Sequence, residues 1–91
     1  MICGQSREEL IQISDAIREE CCQAMESHGR HNSFHESYAV ILEELDEFWD
    51  IVKQRREKRD TTAARKELIQ VAAMCMRAIH DLGLSPVGGY K

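Results

Sequence analysis

The sequence predicts an all-α fold, with three main helices in an antiparallel bundle of four-helix type that oligomerisation completes. Three observations lead there. Charged residues make up 31% of the chain and there is a single proline, a composition that favours helices. Apolar residues recur at helical spacing in three successive segments, as helices with one packed face require. Between those segments lie Gly29, the pair Asn32 and Ser33, and the run Asp60, Thr61, Thr62, residue types that end helices and start new ones. The 91 residues make one domain, with 1–84 as the helical body and 85–91 as a tail. A domain this small buries only about 60–65% of its extended-chain surface.

The first helix is predicted from Ser6 to about Ser27, with Glu9 completing a capping box. Leu10, Ile13, Ile17, Cys21, Ala24 and Met25 form its core stripe, and Glu8, Asp15, Arg18 and Glu19 a solvated face. It reads as a packing partner.

The segment from His28 to His35 interrupts the helical pattern. Gly29 suits a helix C-terminus, and Ser33 with Glu36 makes a second capping box. Its histidines, His28, His31 and His35, raise the question of zinc. A structural zinc site needs four ligands, usually with closely spaced cysteines. Cys3, Cys21, Cys22 and Cys75 include no Cys-x-x-Cys pair, so they read as thiols in a reducing cytosol. The segment is better read as a polar loop beside a ligand site, where His28, Arg30, His31 or His35 would meet phosphate or base.

The second helix is predicted from Phe34 to about Arg59. Phe34, Tyr38, Ile41, Leu45, Phe48, Trp49 and Val52 fall on one side and read as the core stripe. About a quarter-turn away, Val40, Glu44, Glu47 and Ile51 form a second stripe in which two acids are bracketed by aliphatic residues. Carboxylates in apolar company need a partner. The basic run Lys53 to Arg59 suits a helix C-terminus, with a phosphate-facing role for one or two of its side chains as the second reading. The third helix is predicted from about Thr62 to Leu82, with Gly83 as the residue after its cap. Its core stripe is Leu68, Val71, Ala72, Cys75, Ile79 and Leu82, with Glu67 at the border beside Val71, Met74 and Ala78.

A short connection makes helices two and three antiparallel neighbours. Glu44, Glu47 and Glu67 then meet at one level. Such a gathering of like charges is costly without a cation, and a hard divalent ion with oxygen ligands, Mg²⁺ or Mn²⁺, fits it. A net charge of −4 gives no support for nucleic acid as partner. No run of eighteen apolar residues and no secretion signal occur, so neither a membrane span nor export is expected, and the expected location is cytoplasmic.

The segment Glu43-Glu44-Leu45-Asp46-Glu47 followed by Glu67-Leu68-Ile69-Gln70 resembles the EExxE and ExxD signatures of the MazG-like all-α nucleoside triphosphate pyrophosphohydrolases. The likeness covers roughly residues 33–82. It implies a Mg²⁺-dependent hydrolase that releases pyrophosphate and a nucleoside monophosphate from a nucleoside triphosphate, or acts on a related pyrophosphate-containing small molecule. It implies Glu44, Glu47 and Glu67 as metal ligands and Glu43 as an orienting or basic group. Gln70 stands where the family has aspartate and offers a carbonyl oxygen without charge, and Asp50 is the candidate for the missing acid. Candidate substrate contacts are His31, His35, Trp49, Lys53 and Arg77.

The competing reading is a non-catalytic helical module for oligomerisation or protein binding, its acids salt-bridged to Arg55, Arg65 or Arg77. A di-iron bundle is disfavoured because neither helix carries a Glu-x-x-His pair. Both readings expect a partner copy. A three-helix monomer would leave Val40, Ile51, Val71 and Met74 uncovered, so a homodimer or a dimer of dimers is predicted.

Overall fold

The computed structural model describes residues 4–84. Three helices, α1 (Gly4–Ser27), α2 (Phe34–Val52) and α3 (Thr61–Asp81), account for most of them, and no strand occurs among the described residues. The tail assigned to 85–91 lies outside this range, as does Cys3. No helix among the described residues is long and apolar enough to cross a membrane.

Local chemistry fixes most of the boundaries. Ser33 caps α2 by accepting from the Glu36 N–H at 3.0 Å. Glu36 reaches back in return, but to the N–H of Asn32 at 2.7 Å and not to that of the cap residue. Asp60 caps α3 by accepting from the N–H groups of Thr62 and Ala63. At the other end of α3, Gly83 takes φ 66°, and the N–H groups of Gly83 and Leu84 donate to His80 and Ile79. This is the pairing of a Schellman ending, where glycine adopts the left-handed conformation at no Cβ cost.

Two boundaries differ from expectation. Ser6 lies inside α1, which already includes Gly4, so it is not the N-cap. Helix α2 stops at Val52, seven residues short of Arg59. Arg59 folds back to donate to the Val52 carbonyl at 2.8 Å, satisfying one of the groups a helix C-terminus leaves open. Between them lies one 3₁₀ turn, Arg56–Lys58. Five cations between residues 53 and 59 would repel one another at helical spacing, and the break spreads them.

Helix α3 is central. It packs against both α1 and α2, while α1 and α2 have no direct backbone packing with each other. Cys21 and Ala24 of α1 meet Ala73 and Met74 of α3, and Ile17, Val40 and Ile41 close around them. Ala73 is 0% exposed, and its small side chain lets the helices approach closely. Helix α1 runs parallel to α3: Ala16 lies beside Thr62, and Arg30, just past α1, bonds the Asp81 carbonyl. The turns before Ala16 therefore run past the start of α3, leaving Leu10, Ile11 and Ile13 exposed.

The faces turn inward differently from the sequence prediction. On α2 the larger stripe is mostly outside, with Tyr38 66% and Trp49 55% exposed, while Ser37, Val40, Ile41 and Glu44 face the interior. On α3, Leu68, Cys75 and Ile79 are exposed, and Ala73, Met74, Arg77, Ala78 and Asp81 are buried. In α1, Leu10, Ile13 and Met25 are exposed. The expectation that Val40, Ile51, Val71 and Met74 would be left uncovered is therefore reversed, since Met74 is buried and the others half-buried. The physical reason is that small residues permit close helix contact, and the buried Arg77 and Asp81 anchor the loop between α1 and α2. Both lie on the inward side of α3.

Candidate functional site

Glu44 and Glu47 are one turn apart on α2, and Glu67 comes from the facing stretch of α3. A carboxylate oxygen from each lies within 4.8 Å of the others. Glu44 and Glu67 are half-buried and Glu47 is exposed. Burial pushes the Glu44 carboxyl up to about 6, and the charges of Glu47, Glu67 and Glu43 add to the rise. Burial also raises Glu67, helped by a hydrogen bond to and the charge of Glu47 and opposed by Lys66. None of these three acids forms an ion pair with a basic side chain among the described residues.

Gln70 sits between two of them. The amide orientation that satisfies every group turns its nitrogen toward the acids, donating to Glu44 Oε2 at 2.9 Å and Glu67 Oε1 at 3.1 Å. In this arrangement Gln70 offers donors to the carboxylates and holds two of them in place. Asp50 pairs with Lys53 at 3.1 Å, both exposed, and stands outside the acid group.

The space that α1 and α2 leave over α3 is a groove of ≈ 620 Å³. Glu43, Glu44 and Gln70 line one end, the loop residues His28 to Asn32 and Arg77 line the other, and Ala24, Val40 and Met74 supply apolar surface between. Of the substrate contacts expected from sequence, His31 and Arg77 line this groove; His35, Trp49 and Lys53 do not, and all three are exposed.

The loop end is held by a buried polar network that sequence reasoning missed. Arg77, 3% exposed, donates to the Gly29 carbonyl and lies 3.6 Å from Asp81. Asp81 accepts from the His31 N–H at 2.9 Å and pairs with His80 Nδ1 at 2.9 Å. Burial alone would raise its pKa, but the bonds from His31 and His80 and the Arg77 charge outweigh that and hold it below the usual carboxylate value. His31 Nδ1 meets Ser37 Oγ at 2.7 Å. The sequence signal was present: Arg77 and Asp81 stand four residues apart on the same side as Met74 and Ala78.

The donor set fits a hard divalent cation, being all carboxylate oxygen, partly desolvated and without a basic partner. Comparison of the chain with protein-family models, curated proteins and solved structures finds no match.

Proposed function

We propose that the chain is a Mg²⁺-dependent nucleoside triphosphate pyrophosphohydrolase of MazG-like type, with Mn²⁺ as an alternative ion, acting in a reducing cytosol. The observation that carries the reading is the convergence of Glu44, Glu47 and Glu67 from two helices, none of them ion-paired to a basic side chain among the described residues. A protein stabilised by those side chains would pair them, as the non-catalytic reading expected. Arg77, one of the partners that reading named, is engaged with Asp81 and Gly29.

Glu44, Glu47 and Glu67 would hold the ion. When bound, it would neutralise phosphate oxygens and make a water molecule more acidic. Gln70 keeps Glu44 and Glu67 oriented through the two hydrogen bonds its amide nitrogen donates. Glu43, beside Glu44 on the groove wall, would take a proton from the attacking water. Water adds to phosphorus, the bond to the pyrophosphate oxygen breaks, and the groove retains the monophosphate.

The same reading includes a homodimer or a dimer of dimers. Tyr38, Leu45 and Trp49 on α2 and Leu68, Cys75 and Ile79 on α3 are exposed. By helical angle they lie on the flank away from the groove. Together they make an apolar face of the kind a symmetric partner covers.

The test is pyrophosphate release, detected with a coupling pyrophosphatase, over a panel of ribo- and deoxyribonucleoside triphosphates with Mg²⁺. Release that disappears on chelation and in the Glu44→Gln, Glu47→Gln double variant is expected. No release from any member, together with no calorimetric Mg²⁺ binding, would leave the non-catalytic module as the better account.

A further inference from the structure

Helix α1 is longer than the surface it rests on. It packs on α3 alone, and with Ala16 beside Thr62 its first twelve residues, 4–15, run past the start of α3. That is about 18 Å of helix, a length at which an isolated helix is marginal in water. Leu10 is 52% exposed and Ile13 40%. Both continue the stripe through which Ile17, Cys21 and Ala24 reach the core. The stripe therefore goes on where α3 has ended. Residues 85–91 follow the opposite end of α3. Seven residues reach at most about 25 Å when extended, less than the roughly 32 Å length of α3, so they cannot cover this arm.

The same end of the molecule is divided by charge. Between residues 53 and 66 stand seven cations and two acids, all exposed. Arg55, Arg56, Lys58, Arg65 and Lys66 form no ion pair among the described residues. Helix α1 carries six acids against two cations. Glu8 and Glu9, in the arm, are exposed and likewise without an ion pair among the described residues. The arm has no backbone packing with the 3₁₀ turn at Arg56–Lys58. Within one chain these opposite charges do not meet.

Two-fold symmetry brings both halves together in one operation, because each copy carries an arm and a basic end. An axis crossing near Leu10 and Ile13 sets two arms antiparallel. Each arm then lies where the other chain's α3 has ended, its apolar stripe against its counterpart. Its first turns, with Glu8 and Glu9, point back toward the partner's basic connection and the start of the partner's α3, where negative charge is favoured. Apolar burial holds such a contact, and the charges set its register.

We infer that the α1 arm docks on a second copy of this chain, Leu10 and Ile13 covering their counterparts and Glu8 and Glu9 meeting the partner's Arg55 and Arg56. This contact is separate from the α2–α3 flank, and the two together make a dimer of dimers. It depends neither on the acid cluster nor on the hydrolase reading.

The experiment is sedimentation velocity at tens of micromolar on the Trp49→Glu chain, in which the other flank is disabled. That chain should remain a dimer, and Leu10→Glu with Ile13→Glu should convert it to monomer. In the wild-type background the same double change should halve the mass. Glu8→Arg with Glu9→Arg, and separately Arg55→Glu with Arg56→Glu, should each weaken the dimer roughly tenfold, and all four together should restore it to within about threefold. Raising NaCl from about 0.05 to 0.5 M should weaken the unaltered contact. Every substituted side chain is exposed, so helix content by circular dichroism should stay constant across the series. A monomeric Trp49→Glu chain, a dimer that survives Leu10→Glu with Ile13→Glu, or a four-residue exchange that stays weak overturns the inference. So does a monomer that retains a fluorescent oligoribonucleotide through Arg55 and Arg56, which would give the basic end to a polyanion.

Discussion

Glu44→Gln provides the sharpest physical test, because the acid cluster should cost the metal-free protein stability at neutral pH. Folding raises the Glu44 carboxyl from an ordinary value of 4.5 to about 6, so the folded state holds this proton more tightly than the unfolded chain does. Stability then rises as pH falls through the window from about 6 to 4.5 and is lowest above it, where the group is charged. At roughly 1.36 kcal/mol per unit the charged carboxylate costs about 2 kcal/mol, and the half-exposed setting puts the realised figure nearer 1–2 kcal/mol. Near the melting point, a chain of this length shifts by roughly 5 °C per kcal/mol. The Glu44→Gln variant should therefore melt about 5–10 °C above wild type at pH 7.5 without divalent ions, and the gap should nearly close at about pH 4, below the ordinary value of the group. Adding Mg²⁺ at pH 7.5 should raise the wild type, since an ion that binds only the native state stabilises it, and leave the variant almost unmoved. Circular dichroism melts at two pH values, with and without Mg²⁺, are sufficient. A variant less stable than wild type at pH 7.5, or a gap that does not depend on pH, would refute the electrostatic argument.

Three further outcomes are expected. Gln70→Asp replaces the bridging amide by a fourth carboxylate, so it should lower the apo melting temperature and strengthen Mg²⁺ binding in calorimetry; weaker binding would count against a ligand role at this position. Asp81→Asn should cost about 3 kcal/mol in urea unfolding, because it leaves the buried Arg77 without its counter-charge. Since Asp81 is held below the usual carboxylate range, its contribution is complete above an unfolded-state value of about 3.9 and is lost as pH falls through the lower folded value. Only the wild type should show that acid-side loss. Light scattering at micromolar concentration should give a dimer or tetramer mass, and Trp49→Glu should shift it toward monomer; a wild-type monomer would remove the symmetric partner from the proposal.

The elements that were legible in the sequence are those governed by short-range chemistry. Ser33 with Glu36, Asp60 before Thr62 and Gly83 after Leu82 each solve a helix-end problem within a few residues, so spacing alone reveals them. The meeting of Glu44, Glu47 and Glu67 was legible too, because a short connection sets the register of two antiparallel helices. Which side of each helix turns inward was not. Two apolar stripes on α2 compete, and hydrophobicity favours the one with Tyr38 and Trp49. The structure uses the other, because close approach at Ala73 and the buried pair Arg77 and Asp81 decide the contact. Asp81 and Ser37 gave no sign in isolation; their roles come from a loop fifty residues from one and six from the other. The early stop of α2 goes with the crowding of five cations between residues 53 and 59 and with Arg59 turning back to the Val52 carbonyl, a return that helical periodicity does not reveal.

The placement of α3 between two helices that do not pack on each other has a mechanical consequence. With no direct backbone seam between α1 and α2, the width of the groove is governed by how α1 seats on α3 through Cys21, Ala24 and Ala73. The acid cluster, by contrast, belongs wholly to the α2–α3 pair. A small roll of α1 about that narrow seam would change what the groove admits without disturbing the spacing of the carboxylates. Groove width and carboxylate spacing are thus set by separate helix pairs. Substitutions at the α1 seam can retune one while the other stays as it is.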